Sequence, residues 1–179
     1  MGANFEIDIA SREYIPFPAL GEIWDAIALG ACFDEFLIYP DLLFDSTKAA
    51  PFAEENMTQE RAEGILREGR VLYRTGLTGG SICIGAMQYL EDGCFWRNDL
   101  WFDTQGLAEF EAERMTPGVE RLQTAVERCL ERRGVLFYAR GVEMMEEDAA
   151  SVLETRAWPS ALALRFYDAP ATKKEERVI

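Results

Sequence analysis

Hydrophobic and polar positions alternate at the start of the chain. In residues 4–9, Phe5, Ile7 and Ile9 share one side of an extended segment, which predicts a short strand. Pro16 and Pro18 interrupt it. From Ala19 the spacing changes: Leu20, Ile23, Trp24, Ile27 and Ala31 recur at helical intervals with Glu22 and Asp25 outside, predicting a helix over 19–30. Phe33, Phe36, Leu37, Ile38 and Tyr39 read as a strand ended by Pro40. The following stretch to residue 57 mixes Leu42, Leu43 and Phe44 with acids and reads as a packed loop or a partner-facing surface.

Thr58 caps a helix at 59–68, with Ala62, Ile65 and Leu66 inward and Gly69 as its terminator. Three strands follow, at 70–75, 81–89 and 94–102. Their links are too short for parallel crossovers, and Asp92-Gly93 is a hairpin turn, so the segment predicts an antiparallel meander. A short polar helix is expected over 107–115. A longer one over 117–133 has Thr116 as cap, Pro117 in its first turn, Gly134 past its end, and Val119, Leu122, Val126, Cys129 and Leu130 as its buried stripe. A strand at 135–140, a helix at about 142–155 and a strand at 161–167 complete the pattern, and the three could form one parallel βαβ unit. The expected architecture is a single α+β domain over 1–179, a mostly antiparallel sheet with the 70–102 meander and helices packed on one face, and a frayed tail over 168–179.

Composition is consistent with this reading. The chain has 179 residues, 49% hydrophobic and 28% charged, enough to bury a core without disulfides or metals. No apolar run reaches the roughly 18 residues of a membrane span, and the acidic opening segment does not read as an export signal. Histidine is absent, which excludes Ser-His-Asp and Cys-His catalysis and histidine-ligated zinc. Cys32, Cys83, Cys94 and Cys129 form no CxxC pair and read as reduced, structural thiols of a cytoplasmic protein, a Cys83–Cys94 bridge being the less favoured alternative. No cofactor fingerprint and no metal set is legible.

Charge changes the picture most. The formal net charge is −14, and residues 1–60 hold 12 acids against Arg12 and Lys48. Such a field repels nucleic acid and anionic membranes and attracts a basic protein. Asp34, Glu35, Asp41 and Asp45 interleave with Phe36 and Tyr39 in the same region. These six are the candidate partner-binding residues, with Phe36 or Tyr39 as anchor and the acids as steering charges.

Three other features carry chemistry. The glycine-rich run 75–81 lacks the Lys-Ser/Thr ending of a P-loop and reads as a turn. Arg97 and Asp99 share a strand face opposite Trp96 and Leu100. With Asp103 they are candidates for carboxylate chemistry, but such a face is more often solvated. Glu143, Glu146, Glu147 and Asp148 suit the start of a helix.

The function expected from these features is an acidic cytoplasmic binding module, of the kind that acts as an immunity protein neutralising a basic toxin or effector. A small-molecule-binding domain or enzyme using carboxylate and arginine chemistry is the alternative, as is a secretion chaperone or DNA-mimic inhibitor.

Overall fold

The computed structural model describes residues 3–26, 30–78, 82–105, 107–111, 115–131 and 134–167. The expected frayed tail lies outside them. Eight strands form one open sheet: β1 (Asn4–Ser11), β2 (Ala31–Tyr39), β3 (Ala50–Pro51), β4 (Val71–Thr78), β5 (Cys83–Glu91), β6 (Phe95–Asp103), β7 (Val135–Val142) and β8 (Ala163–Phe166). Their order is β3-β2-β4-β5-β6-β1-β7-β8, and every neighbouring pair is antiparallel. The meander is therefore β4-β5-β6. Its second turn places Asp92 and Gly93 at φ 51° and 68°, and Cys94 N–H donates to the Glu91 carbonyl at 3.0 Å. Positive φ at both central residues is the geometry whose twist matches the flanking strands, and glycine adopts it without a steric penalty.

The helices are α1 (Gly21–Ala26), α2 (Gln59–Arg67), α3 (Ala108–Glu111), α4 (Pro117–Leu130) and α5 (Ala149–Thr155). Helix α4 has the expected start: the Thr116 hydroxyl accepts from Val119 N–H at 3.3 Å, and Pro117 follows, where a missing N–H costs nothing. Its stripe packs with α1 onto the face that carries Phe5, Ile7, Ile9, Ile84, Leu100 and Phe102, and this is the main core. Thr58 likewise caps α2 through Arg61 N–H, and Ala62 and Leu66 pack against Ile38, Leu72 and Trp96.

A buried polar row crosses this core face. Arg74 donates to both carboxylate oxygens of Glu54 at 2.6 and 3.2 Å and to the Gln88 side-chain oxygen at 3.0 Å. Gln88 donates in turn to Asn98 at 2.7 Å and to the Ile15 carbonyl at 2.8 Å. The guanidinium also lies 4.2 Å from the Phe17 ring centre. These bonds tie two irregular segments onto the sheet.

The C-terminal third departs from expectation. β8 pairs antiparallel with β7, Phe137 opposite Phe166, so no parallel βαβ unit forms. The reason is local: β7 runs on to Val142, residues 143–148 are irregular, and α5 has only seven residues. The return reaches β8 at the end where β7 finished, with Leu162 N–H on the Arg140 carbonyl at 2.8 Å. Helix α5 and Trp158 pack on Ala10, Phe137 and Ala139, which point away from the main core. Helical cover thus extends to part of the second sheet face.

Candidate functional site

The second face starts from strand alternation. The register aligns Asp8 of β1, Asp99 of β6, Met87 of β5 and Tyr73 of β4 in one row across the sheet; one step along lie Ala10, Arg97 and Tyr89. The polar positions that read as a solvated face therefore stand at the centre of an eight-stranded sheet, beside α5. Arg97 is 1% exposed and Asp8 is 7% exposed.

The Arg97 guanidinium is fully engaged. Nε and Nη2 grip the two oxygens of Asp8, with Nε at 3.1 Å. Nη1 donates to Glu91 and to the Glu147 carbonyl at 3.1 Å. It lies 5.7 Å from the Tyr89 ring centre and 5.9 Å from that of Trp158. Burial opposes its charge, but Asp8, Asp99 and Tyr89 together more than offset this, so the group stays cationic. Its role is to neutralise Asp8 and fasten the strap of residues 143–148.

Other acids hold the same strap by accepting backbone N–H groups: Glu6 from Met144 at 2.8 Å, Glu143 from Asn4 at 3.1 Å, and Glu91 from Ala149 at 3.1 Å. Asp148 caps α5 through Ser151 N–H at 2.8 Å. These tertiary bonds take residues 143–148 out of the expected helix. The acidic cluster is thus divided among holding the strap, capping α5 and, for Glu146, lining what lies beneath.

What lies beneath is a cavity of about 260 Å³. Asp8 and Asp99 line it, with Glu6 and Asn4 at one end, Met87 and Trp101 on one side, and Met144, Met145, Glu146 and Trp158 from the strap side. The Asp99 carboxyl lies within hydrogen-bonding reach of Asp8, and its buried Oδ1 receives no hydrogen bond from any N–H or O–H among the described residues. Burial, then the neighbouring Asp8 charge, pushes the Asp99 carboxyl well above the usual carboxylate range, against the pull of Arg97. Beside the Asp8 carboxylate that Arg97 holds, Asp99 therefore keeps its proton more readily than an ordinary aspartate. Glu6 is also raised, by its own burial first.

Trp101 forms the outer wall. A Cβ on Gly85 would lie 1.8 Å from Trp101 Cζ2, so the indole lies flat across that glycine. It continues a row of rings: Trp101 to Tyr73 at 5.4 Å between centres, Tyr73 to Tyr39 at 5.5 Å, Tyr39 to Phe44 at 5.2 Å. Beyond Trp101 a shallower groove is lined by Asp34, Glu35, Tyr73 and Thr75. Leu43 stands 86% exposed at the far end.

The structure distributes the six expected partner residues unequally. Asp34 and Glu35 are exposed on β2, Glu35 accepting from the Thr75 hydroxyl at 2.7 Å. Asp41 and Asp45 shape their own turns by accepting Leu43 N–H and Thr47 N–H; Asp45 also pairs with Lys48, and its carboxyl is lowered, first by the Thr47 hydroxyl. The two anchors do not share a face. Phe36 packs on Phe52 on the core-facing side, while Tyr39 is nearly buried in the ring row of the other side. Alternation along β2 places them on opposite sheet faces, with Tyr39 on the face of the ring row. The exposed apolar groups nearby are Leu42, Leu43 and Phe44.

Asp103 lies outside the cavity and accepts Gln105 N–H at 2.8 Å. Residues 79–81 of the glycine-rich run lie outside the described residues. Cys32, Cys83 and Cys94 are exposed and Cys129 is buried; all four are free. Cys83 begins β5 and Cys94 sits at the turn beyond its other end, too far apart to bridge.

Asp8 carried no warning in the sequence beyond its polar position in an apolar strand. The fold and site together define an α+β open-sheet protein with an acid-floored pocket on one sheet face. No family model, curated protein or solved structure matches the chain. Among the described residues no helix is long and apolar enough to cross a membrane, and no metal-binding cluster is present.

Proposed function

We propose that the protein is an acidic binding module that receives a basic protein partner on the open half of its second sheet face, as an immunity-type protein does with a toxin or effector. The observation that carries this reading is the row Phe44, Tyr39, Tyr73 and Trp101, which no helix among the described residues covers and which Asp34 and Glu35 flank. Aromatic side chains offer large contact area at low entropic cost, and flanking acids steer a cationic surface toward them. The net charge of −14 acts in the same direction.

The test is amide exchange on the complex with a partner captured from native lysate and then purified. Protection should concentrate in β2, β4 and β5. Protection of α1 and α4 with β4 and β5 unchanged would defeat the reading.

A second reading, a small-ligand or acid–base site, is favoured by one observation: Asp8 and an Asp99 whose carboxyl is raised by burial line a pocket with apolar walls.

A further inference from the structure

We infer that the Asp8–Asp99 pocket is a site for a primary ammonium group carried on a short apolar stem. The inference goes beyond the docking of a basic partner and stands on the pocket alone. Four observations converge on this chemistry.

The pocket floor is acidic and its nearest cation is already used. Each hydrogen bond of the Arg97 guanidinium goes to Asp8, Glu91 or the Glu147 carbonyl. Glu6 and Glu146 line the same space, so an anion would face four acidic side chains and no cationic one. The Asp99 Oδ1 is buried without a donor, which is costly unless something supplies one.

The donor has a shape. A guanidinium recognises carboxylates through a planar two-point fork, and that face of Asp8 is held by Arg97. What remains suits a compact centre with several donors, which an ammonium provides. The walls suit its stem: Met87, Met144 and Met145 are adaptable apolar surfaces, and Trp101 and Trp158 present rings that attract a cation. The volume of about 260 Å³ is below the range of drug-sized pockets, so the stem is a few carbons long.

Binding has a proton signature. The groups facing Asp99 are Asp8 and Glu6 from β1, Arg97 from its own strand, Tyr89 from β5 and Glu146 from the strap. An arriving ammonium takes the place of the Asp99 proton between the two carboxyls. The Asp99 O–H bond breaks and its proton passes to a buffer base, up to one per ligand bound, and no bond between heavy atoms changes.

The ammonium has two sources, a free small amine or a lysine side chain of a docked protein, and the probes separate them. Titration calorimetry and tryptophan fluorescence are read with n-butylammonium, n-butanol, butyrate, n-butylguanidinium and N-acetyl-lysine methylamide. n-Butylammonium should bind at least tenfold more tightly than the other three butyl compounds, with proton release seen as a dependence of heat on buffer ionisation. D99N, which keeps the shape, should weaken it at least tenfold and abolish the release, with circular dichroism unchanged. If blocked lysine binds as well as butylammonium, a partner's side chain is the source. If only butylammonium binds, the ligand is a free amine. Equal binding of butylammonium and butanol, or D99N binding like the parent, overturns the inference. Neither failure touches the docking face, which is read separately by exchange protection of β2, β4 and β5.

Discussion

Replacing Arg97 with methionine tests whether the buried guanidinium is what allows the acids of the second face to coexist. The methionine keeps much of the apolar stem and removes the charge. The parent side chain is 0% exposed and engages Asp8, Glu91 and the Glu147 carbonyl. Its loss leaves Asp8, itself nearly buried, without a counter-ion, and releases the strap at Glu147. Removing one partner of a buried ion pair costs about 3–5 kcal/mol. That is a large share of the roughly 5–15 kcal/mol that holds a typical domain folded. For a chain of this length it corresponds to a fall of about 6–20 °C in melting temperature. Urea unfolding at pH 7, followed by circular dichroism, measures the deficit directly. The triple variant R97M/D8N/E91Q separates charge from packing. If the deficit comes from orphaned carboxylates, neutralising them restores at least half of it, and lowering the pH narrows the gap between R97M and the parent. A loss below about 1 kcal/mol for R97M, or a further loss on adding D8N and E91Q, refutes the reasoning, because the cost would not lie in uncompensated charge.

Other outcomes follow from the same geometry. The folded state holds the Asp99 proton to a higher pH than the unfolded chain, whose aspartates lose theirs near pH ~4, so this group's contribution falls as pH rises through that window. D99N should therefore gain stability relative to the parent between pH 4 and pH 8; a difference that stays flat or reverses sinks the assignment. G85A forces Trp101 off the sheet, and should cost about 1–3 kcal/mol and shift tryptophan emission; unchanged emission would mean the ring does not lie there. Thiol titration should count three fast-reacting groups in the native protein and four after denaturation without reductant; a denatured count of two would establish a disulfide. Charge reversal at Asp34, Glu35, Asp41 and Asp45 should slow association with the purified partner at low salt. The effect should fade above about 0.15 M, where screening shortens to about 8 Å. Equal rates at low salt would leave those charges with no steering role.

Much of the architecture was legible before any coordinates, because it is written in local physics. Thr116, Pro117 and the Val119-to-Leu130 stripe define α4 through capping and periodicity that need no distant partner. Asp92-Gly93 defines its hairpin because the turn geometry demands those residue types. The alternation that sets Arg97 and Asp99 opposite Trp96 and Leu100 also held. What alternation cannot say is which face is covered. That depended on β1 entering the sheet between β6 and β7, on the strap of residues 143–148 folding over it, and on α5 and Trp158 closing one side. These are contacts between residues about 50 to 140 positions apart, and no window of sequence contains both partners. For the same reason Asp8 looked like an ordinary polar strand residue until its register with Asp99 was known. Residues 143–148 read as helix because their local pattern permits one, yet Glu6 and Glu143 hold backbone amides of the strap and its β1 anchor. The sequence by itself determined α2, α4, the hairpin and the large acidic charge. Only the tertiary structure decided which acids were buried, that Asp99 lies against Asp8, and that a pocket lies above them, since burial and proximity arise between elements and not within them.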